Sequence, residues 1–172
     1  SIAATIESVL AQTWSHWELI VVDDHSTDGS GAIVAALAQQ DARISLLPLA
    51  VNCGAPARPR NLGIAQAQGE WIAFLDADDI WHPDKLADQM AALTREHADF
   101  CCTRMLDFEG TVPAFDQPVA VTVDRVTFRQ QRLKSRIPAS SVVVRKRLML
   151  AHPFNEDPGY RAVEDYHCWL RI

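Results

Sequence analysis

The sequence predicts an α/β fold built on a mixed, mainly parallel sheet flanked by helices. Two observations carry that prediction. Short apolar runs alternate with segments of helical periodicity through residue 105, the pattern of strands joined by crossover helices. Two of those runs, ELIVVDD and WIAFLDADD, end abruptly in carboxylates, and ligands in open α/β sheets bind beyond the C-terminal ends of strands.

The elements follow in order. Ile2, Ile6, Val9 and Leu10 recur at helical spacing, giving an amphipathic helix over 2–12. Trp14 and Trp17 flank a polar turn, and residues 18–22 are a buried strand ending in Asp23 and Asp24. Ser26, Thr27, Asp28 and Gly29 form a turn that caps a helix running to about residue 40. Residues 44–47 are a third short apolar run. A Gly-, Pro- and Arg-rich loop over 52–60 leads into a helix ending near 68, with Arg58, Arg60 and Asn61 at its start. The run Trp71, Ile72, Ala73, Phe74, Leu75 is a buried strand closing in Asp76, Asp78 and Asp79. Pro83 suits the first turn of a helix whose apolar stripe is Leu86, Met90 and Leu93. Beyond it the pattern gives strands at 99–105, 119–123 and 141–144. It also gives a basic helix at 126–135, a short helix at 145–151 and a last helix from 162.

With 172 residues the chain is long enough for one domain with a real core. We expect a strictly alternating first half over 1–105 and the start of a less regular second half over 106–172. Net charge is −6, which argues against a nucleic-acid partner. Cys53, Cys101, Cys102 and Cys168 form no CxxC or Cys/His ligand set, so reduced thiols are expected rather than a zinc site. No apolar run approaches the roughly 20 residues that a membrane-spanning helix needs.

Three carboxylates within four residues at a strand end repel one another, and burying them is costly unless a cation offsets them. Hard divalent cations are held by one or two carboxylates together with substrate phosphates. The residues 76–79 therefore read as a metal–diphosphate site, with Asp78 and Asp79 as simple helix caps the alternative. Asp23 and Asp24 can equally be a turn and cap, Arg60 a solvated loop charge, and Asp165 a surface helix carboxylate. His82, beside Pro83, reads as structural. No GxGxxG follows any strand, which disfavours a Rossmann dehydrogenase. A phosphatase of the haloacid dehalogenase type is disfavoured because Ile80 stands two residues after Asp78 and because Asp76 is mid-chain.

Three strings, TIESVLAQTWSHWELIVVDDHSTDGS, NCGAPARPRNLGIAQAQGEWIAFLDADDIWHPDKL and VEDYHCWLRI, resemble in order the signatures of the inverting glycosyltransferases of family 2. The resemblance implies a GT-A fold and a nucleotide-sugar donor, most simply a UDP-sugar. It implies Mn²⁺ or Mg²⁺ as cofactor and a glycan or lipid-linked sugar as acceptor. It gives Asp24, with Asp23 beside it, to the uracil, Arg60 to the nucleotide and Asp76 to the ribose. Asp76 and Asp78 are its metal-binding DxD pair, and Asp165 is its catalytic base. It also implies a strand before Ser1 and a lid after Ile172, so the chain reads as truncated at both ends. Cytoplasmic work on a cell-surface polysaccharide or glycolipid is expected. The basic stretch Arg125, Arg129, Arg132, Lys134 and Arg136 reads first as a solvated helix face, with peripheral contact with an anionic membrane surface the alternative. A non-catalytic nucleotide-sugar or glycan-binding module is the alternative.

Overall fold

A computed structural model describes residues 1–108, 110, 112, 114, 115, 121–134 and 137–172, the side chains of 133 and 134 excepted. In chain order the elements are α1 (Ile2–Leu10), β1 (Leu19–Asp23), α2 (Ser30–Ala38), β2 (Ile44–Pro48), α3 (Ala57–Gln66) and β3 (Trp71–Ala73). They continue as α4 (Lys85–Glu96), β4 (Phe100–Cys102), α5 (Phe128–Lys134), β5 (Val142–Arg145), α6 (Lys146–Ala151) and α7 (Glu164–Trp169).

The strands make two ladders, and the mixed pairing expected from the sequence is present. β1 and β2 pair in parallel, Leu19 opposite Ile44 through Asp23 opposite Pro48, as the crossover helix α2 between them requires. β5 lies antiparallel between β3 and β4. The parallel share of the sheet is thus the β1–β2 pair, because β5 returns into the sheet from the second half of the chain.

β5 is buried on both faces. Val142 and Val144 join Ile72, Phe74, Met149, Phe154, Cys168 and Trp169 in one apolar cluster. Val143, pointing the other way, joins Val9, Trp81, Leu86 and Leu93. A third cluster, Ile6, Val34 and Ile44, packs α1 and α2 on the parallel pair. The rings of Phe74, Phe154 and Trp169 meet at centroid distances of 5.3–5.8 Å, which fixes the strand before Asp76 against the segment leading to α7.

Some elements are shorter than their sequence patterns. β3 stops at Ala73 rather than 75. Its partner β5 begins after a 3₁₀ turn, Ala139–Ser141, and Ser140 Oγ there accepts the Asp76 N–H in place of a ladder bond. β4 covers three residues of the expected seven. Of the expected strand 119–123, residues 119 and 120 lie outside the described residues. Residues 121–123 are no strand, with Val121 and Val123 about half exposed. The helix expected at 162–172 is α7, six residues long, preceded by Ala162 at φ +67°.

Hydrogen bonding alternates along a strand, so Ile20 and Val22 turn their backbone groups away from β2, and Trp71 and Ala73 turn theirs away from β5. Those four residues line a cleft of about 700 Å³ between the ladders. It is walled also by Ile6 and Val9 and reaches Arg60 and Asp76 at one end. Among the described residues neither strand has a ladder partner on that side. No helix among them is long and apolar enough to cross a membrane.

Lys85 is buried in the second cluster. Its ammonium donates to Gln89 Oε1 at 2.6 Å and lies 4.2 Å from the centre of the Trp81 ring, with no carboxylate paired to it among the described residues. Burial pulls its pKa from the ordinary 10.5 down to about 7. Between those values the unfolded chain binds one more proton than the folded one, so stability rises with pH across that window. The expected slope contribution approaches about 1.4 kcal/mol per pH unit. Urea unfolding of wild type and Lys85→Met at pH 7, 8 and 9 checks this: the stability difference should shrink as pH rises. A difference independent of pH would show that Lys85 titrates normally.

Candidate functional site

Helix α1 and the residues just past its end build the platform for the acidic strand end through three polar side chains. Thr5 Oγ1 donates to the Ala77 carbonyl at 2.9 Å, between Asp76 and Asp78. Ser8 Oγ accepts the Trp81 N–H, and Gln12 Nε2 donates to the His82 carbonyl while its Oε1 accepts the Leu86 N–H. All three residues are buried, so each bond replaces water that cannot reach it. Trp81 Nε1 donates to the Ser140 carbonyl, joining this loop to the turn that receives the Asp76 N–H.

Asp76 is then held from the other side. Arg60, one turn into α3, donates from Nη2 to Asp76 Oδ1 at 2.7 Å and from Nη1 to Glu164 Oε1 at 3.0 Å. Its side chain is 14% exposed and lies 5.5 Å from the Phe154 ring centre. Its neighbour Asn61 donates to the Phe154 carbonyl and accepts the Phe154 N–H, so α3 is clamped to the segment leading into α7. One cation thereby joins the strand-end motif to the Glu164-Asp165 pair, 88 residues apart in the chain.

Asp165 is half-buried and its Oδ1 accepts the Tyr166 N–H at 2.6 Å. Desolvation raises its pKa, with the Glu164 charge adding to the rise. The Tyr166 N–H and the Arg60 charge oppose it. A carboxylate of raised proton affinity is suited to accept a proton. Asp78 is exposed and has no hydrogen-bond or ion-pair partner among the described residues, which leaves it open to a ligand. No three His, Cys, Asp or Glu side chains converge into a ready-made metal cage among the described residues. Two aspartates at an open strand end nonetheless match how a hard cation is held when phosphate oxygens complete its shell.

Asp24 and Asp23 sit at the end of the other ladder. Asp24 Oδ1 accepts the Cys53 N–H and its carbonyl accepts Asn52 Nδ2, both at 2.7 Å, so it shapes the loop that enters α3 just ahead of Arg60. The Asp24 carboxylate, reached also by the Cys53 thiol, pushes that thiol's pKa up. Asp23 is engaged locally: its Oδ1 accepts the Ser26 N–H. Its Oδ2 lies 2.7 Å from where a Cβ on Gly31 would stand, so a larger residue there would push the Asp23 carboxylate aside. His82 accepts the Asp84 N–H through Nδ1 and packs edge-on against Phe115, a structural role as its place beside Pro83 predicts.

The structure thus joins Arg60 to Asp76 and Glu164, sets Asp165 beside that bridge without a bond to it, and holds Asp23 in a turn. Sequence reasoning did not assign Glu164 or Ser140 a place in the site. Glu164 had one signal, its adjacency to Asp165; Ser140 had none, because it acts through a fold contact 64 residues distant.

Comparison with known proteins agrees with this geometry. The pattern described as Glycosyl transferase family 2 matches residues 1–156. The chain is 35% identical over 174 aligned positions to an Escherichia coli protein, the UDP-Glc:alpha-D-GlcNAc-diphosphoundecaprenol beta-1,3-glucosyltransferase WfgD. That match covers 100% of this chain and 64% of WfgD. It is 48% identical over 86 residues to the succinoglycan biosynthesis protein ExoO of Rhizobium meliloti, covering 50% of this chain and 24% of ExoO. The S. aureus TarS 1-349 structure in complex with UDP superposes with a TM-score of 0.77 at 29% identity, covering 97% of this chain and 49% of that one. The chain therefore spans less than two thirds of each of these relatives.

Removing Arg60 leaves Glu164, 5% exposed, as a buried charge without its cation. Arg60→Met should cost about 3 kcal/mol in chemical unfolding, whereas Arg60→Met combined with Glu164→Met should recover most of that loss. A cost for the single variant no larger than a surface substitution would show that the pair does not hold the two motifs together.

Proposed function

The chain belongs to glycosyl transferase family 2, with a GT-A fold, and on that footing we propose that the whole protein transfers a sugar from a UDP-sugar, with inversion, to a hydroxyl of a lipid-linked or cell-surface glycan. The observation that carries the reading is the Arg60 bridge, which sets the strand-end aspartates and the Glu164-Asp165 pair around one place. The donor and acceptor classes are supported by what WfgD is named for and by the UDP in the TarS crystal.

In this reading Asp24 and the loop it pins receive the uracil. Asp76 receives the ribose, and Arg60 gives positive potential beside the diphosphate. Asp78 with Asp76 would hold Mn²⁺ or Mg²⁺, which when bound supplies Lewis-acid neutralisation of the departing diphosphate. Asp165 takes the proton of the acceptor hydroxyl as that oxygen attacks the anomeric carbon from the face opposite the leaving group. The unpaired edges of β1 and β3 along the 700 Å³ cleft leave room for one further extended segment between the two ladders.

We place the work at the cytoplasmic face of a membrane. Exposed Val126 and Phe128 stand in sequence among exposed Arg125, Arg129 and Arg132, a stretch suited to anionic headgroups although Arg125 also pairs with Glu96. Lys134 and Arg136 of the same basic stretch lie outside the side chains described.

Calorimetric titration of UDP, with and without Mn²⁺, tests the site. The reading predicts binding that strengthens at least about tenfold with the metal, and an Asp78→Ala variant that loses the gain. Absence of UDP binding with Mn²⁺ in both this chain and the whole protein would overturn the donor assignment. Binding without turnover by the whole protein would mark a nucleotide-sugar-binding module instead.

A further inference from the structure

Two carboxylates stand side by side in sequence at the start of α7, yet their surroundings differ. Glu164 is 5% exposed and closed onto Arg60 at 3.0 Å. Its second oxygen, Oε2, is buried with no partner among the described residues, so the anion is held chiefly by that one cation. Asp165 is half-buried, accepts a single backbone N–H and makes no ion pair among the described residues. Consecutive helical residues do not face each other, which is why one cation can satisfy the first and leave the second unpaired. The same guanidinium donates from its other terminal nitrogen, Nη2, to Asp76.

We infer that Glu164 is a positioning residue for the transfer reaction: it anchors Arg60 between the strand-end aspartates and α7, and its fixed negative charge reserves the proton-accepting role for Asp165. The inference rests on Asp165 being the base, and it deepens that reading by assigning the two adjacent carboxylates different work. Environments that push two titratable groups apart are how acid–base roles are divided at a site. Glu164 is closed onto the guanidinium, whereas its neighbour Asp165, desolvated and beside the Glu164 charge, gains proton affinity. The charged and titratable groups facing Asp165 are Glu164 on its own helix and Arg60 from α3, with the Cys168 thiol a turn further along.

The test is a carboxyl-¹³C NMR titration of Asp165 in this chain, its signal identified by its loss in Asp165→Asn. Glu164→Gln removes the anion and should move the Asp165 midpoint to lower pH by about half a unit or more. Glu164→Asp, which keeps the charge, should restore most of the wild-type midpoint. Should Glu164→Gln not fold, Glu164→Met removes the same charge and carries the same expectation. An Asp165 midpoint that stays put, or rises, in a folded variant lacking the anion overturns the inference. In the whole protein the acidic limb of kcat/KM should move with the NMR midpoint. The NMR result decides the inference even if no sugar is transferred, so its failure is separable from failure of the proposed activity.

Discussion

The site depends on one guanidinium. Arg60 is nearly buried, and a buried cation is tolerable only with close anions. The two it has, Asp76 and Glu164, come from 16 residues and 104 residues further along the chain. The three charges fix one another: Asp76 cannot swing out without stripping a bond from Arg60, and α7 cannot drift without exposing a buried anion. The aromatic packing of Phe74, Phe154 and Trp169 beneath the bridge holds the same two segments by apolar contact. Polar and apolar constraints therefore agree on where the strand end meets α7.

Around that bridge, the rest of the fold supplies rigid supports. Thr5 and Ser8 of α1, with Gln12 just past its end, hold the backbone of the loop after Asp76. β5, buried on both faces, carries the preceding turn whose Ser140 receives the Asp76 N–H. Asp78, at the apex, is the exposed member of the motif. A strand-end motif held at its first aspartate and open at its third residue is preorganised for a ligand that brings its own oxygen atoms.

Much of this was legible in the sequence, and the reasons are physical. Apolar runs ending in carboxylates mark strand ends because charge is expelled from the sheet interior. That placed Asp24, Asp76 and Asp78 correctly in the fold. Helical periodicity located α1 through α4 to within a few residues. What periodicity does not encode is the strand partner, so the antiparallel insertion of β5 was not visible. Strand length was overread at β3 and β4 because burial continues past the ladder, into side-chain bonds such as Ser140 to Asp76. Asp23 was the weaker candidate of the pair in sequence, and one of its carboxylate oxygens is taken by the turn to Ser26. Glu164 was seen only as a neighbour of Asp165, since an ion pair over 104 residues leaves no local pattern.

The central claim is that Asp165 is the base while the strand-end aspartates hold the donor. Parallel measurement of UDP affinity and sugar transfer in the whole protein, wild type against Asp165→Asn, tests it most directly. The account predicts UDP affinity within about twofold of wild type and a transfer rate lower by at least about a hundredfold. Transfer at the wild-type rate by Asp165→Asn would contradict it.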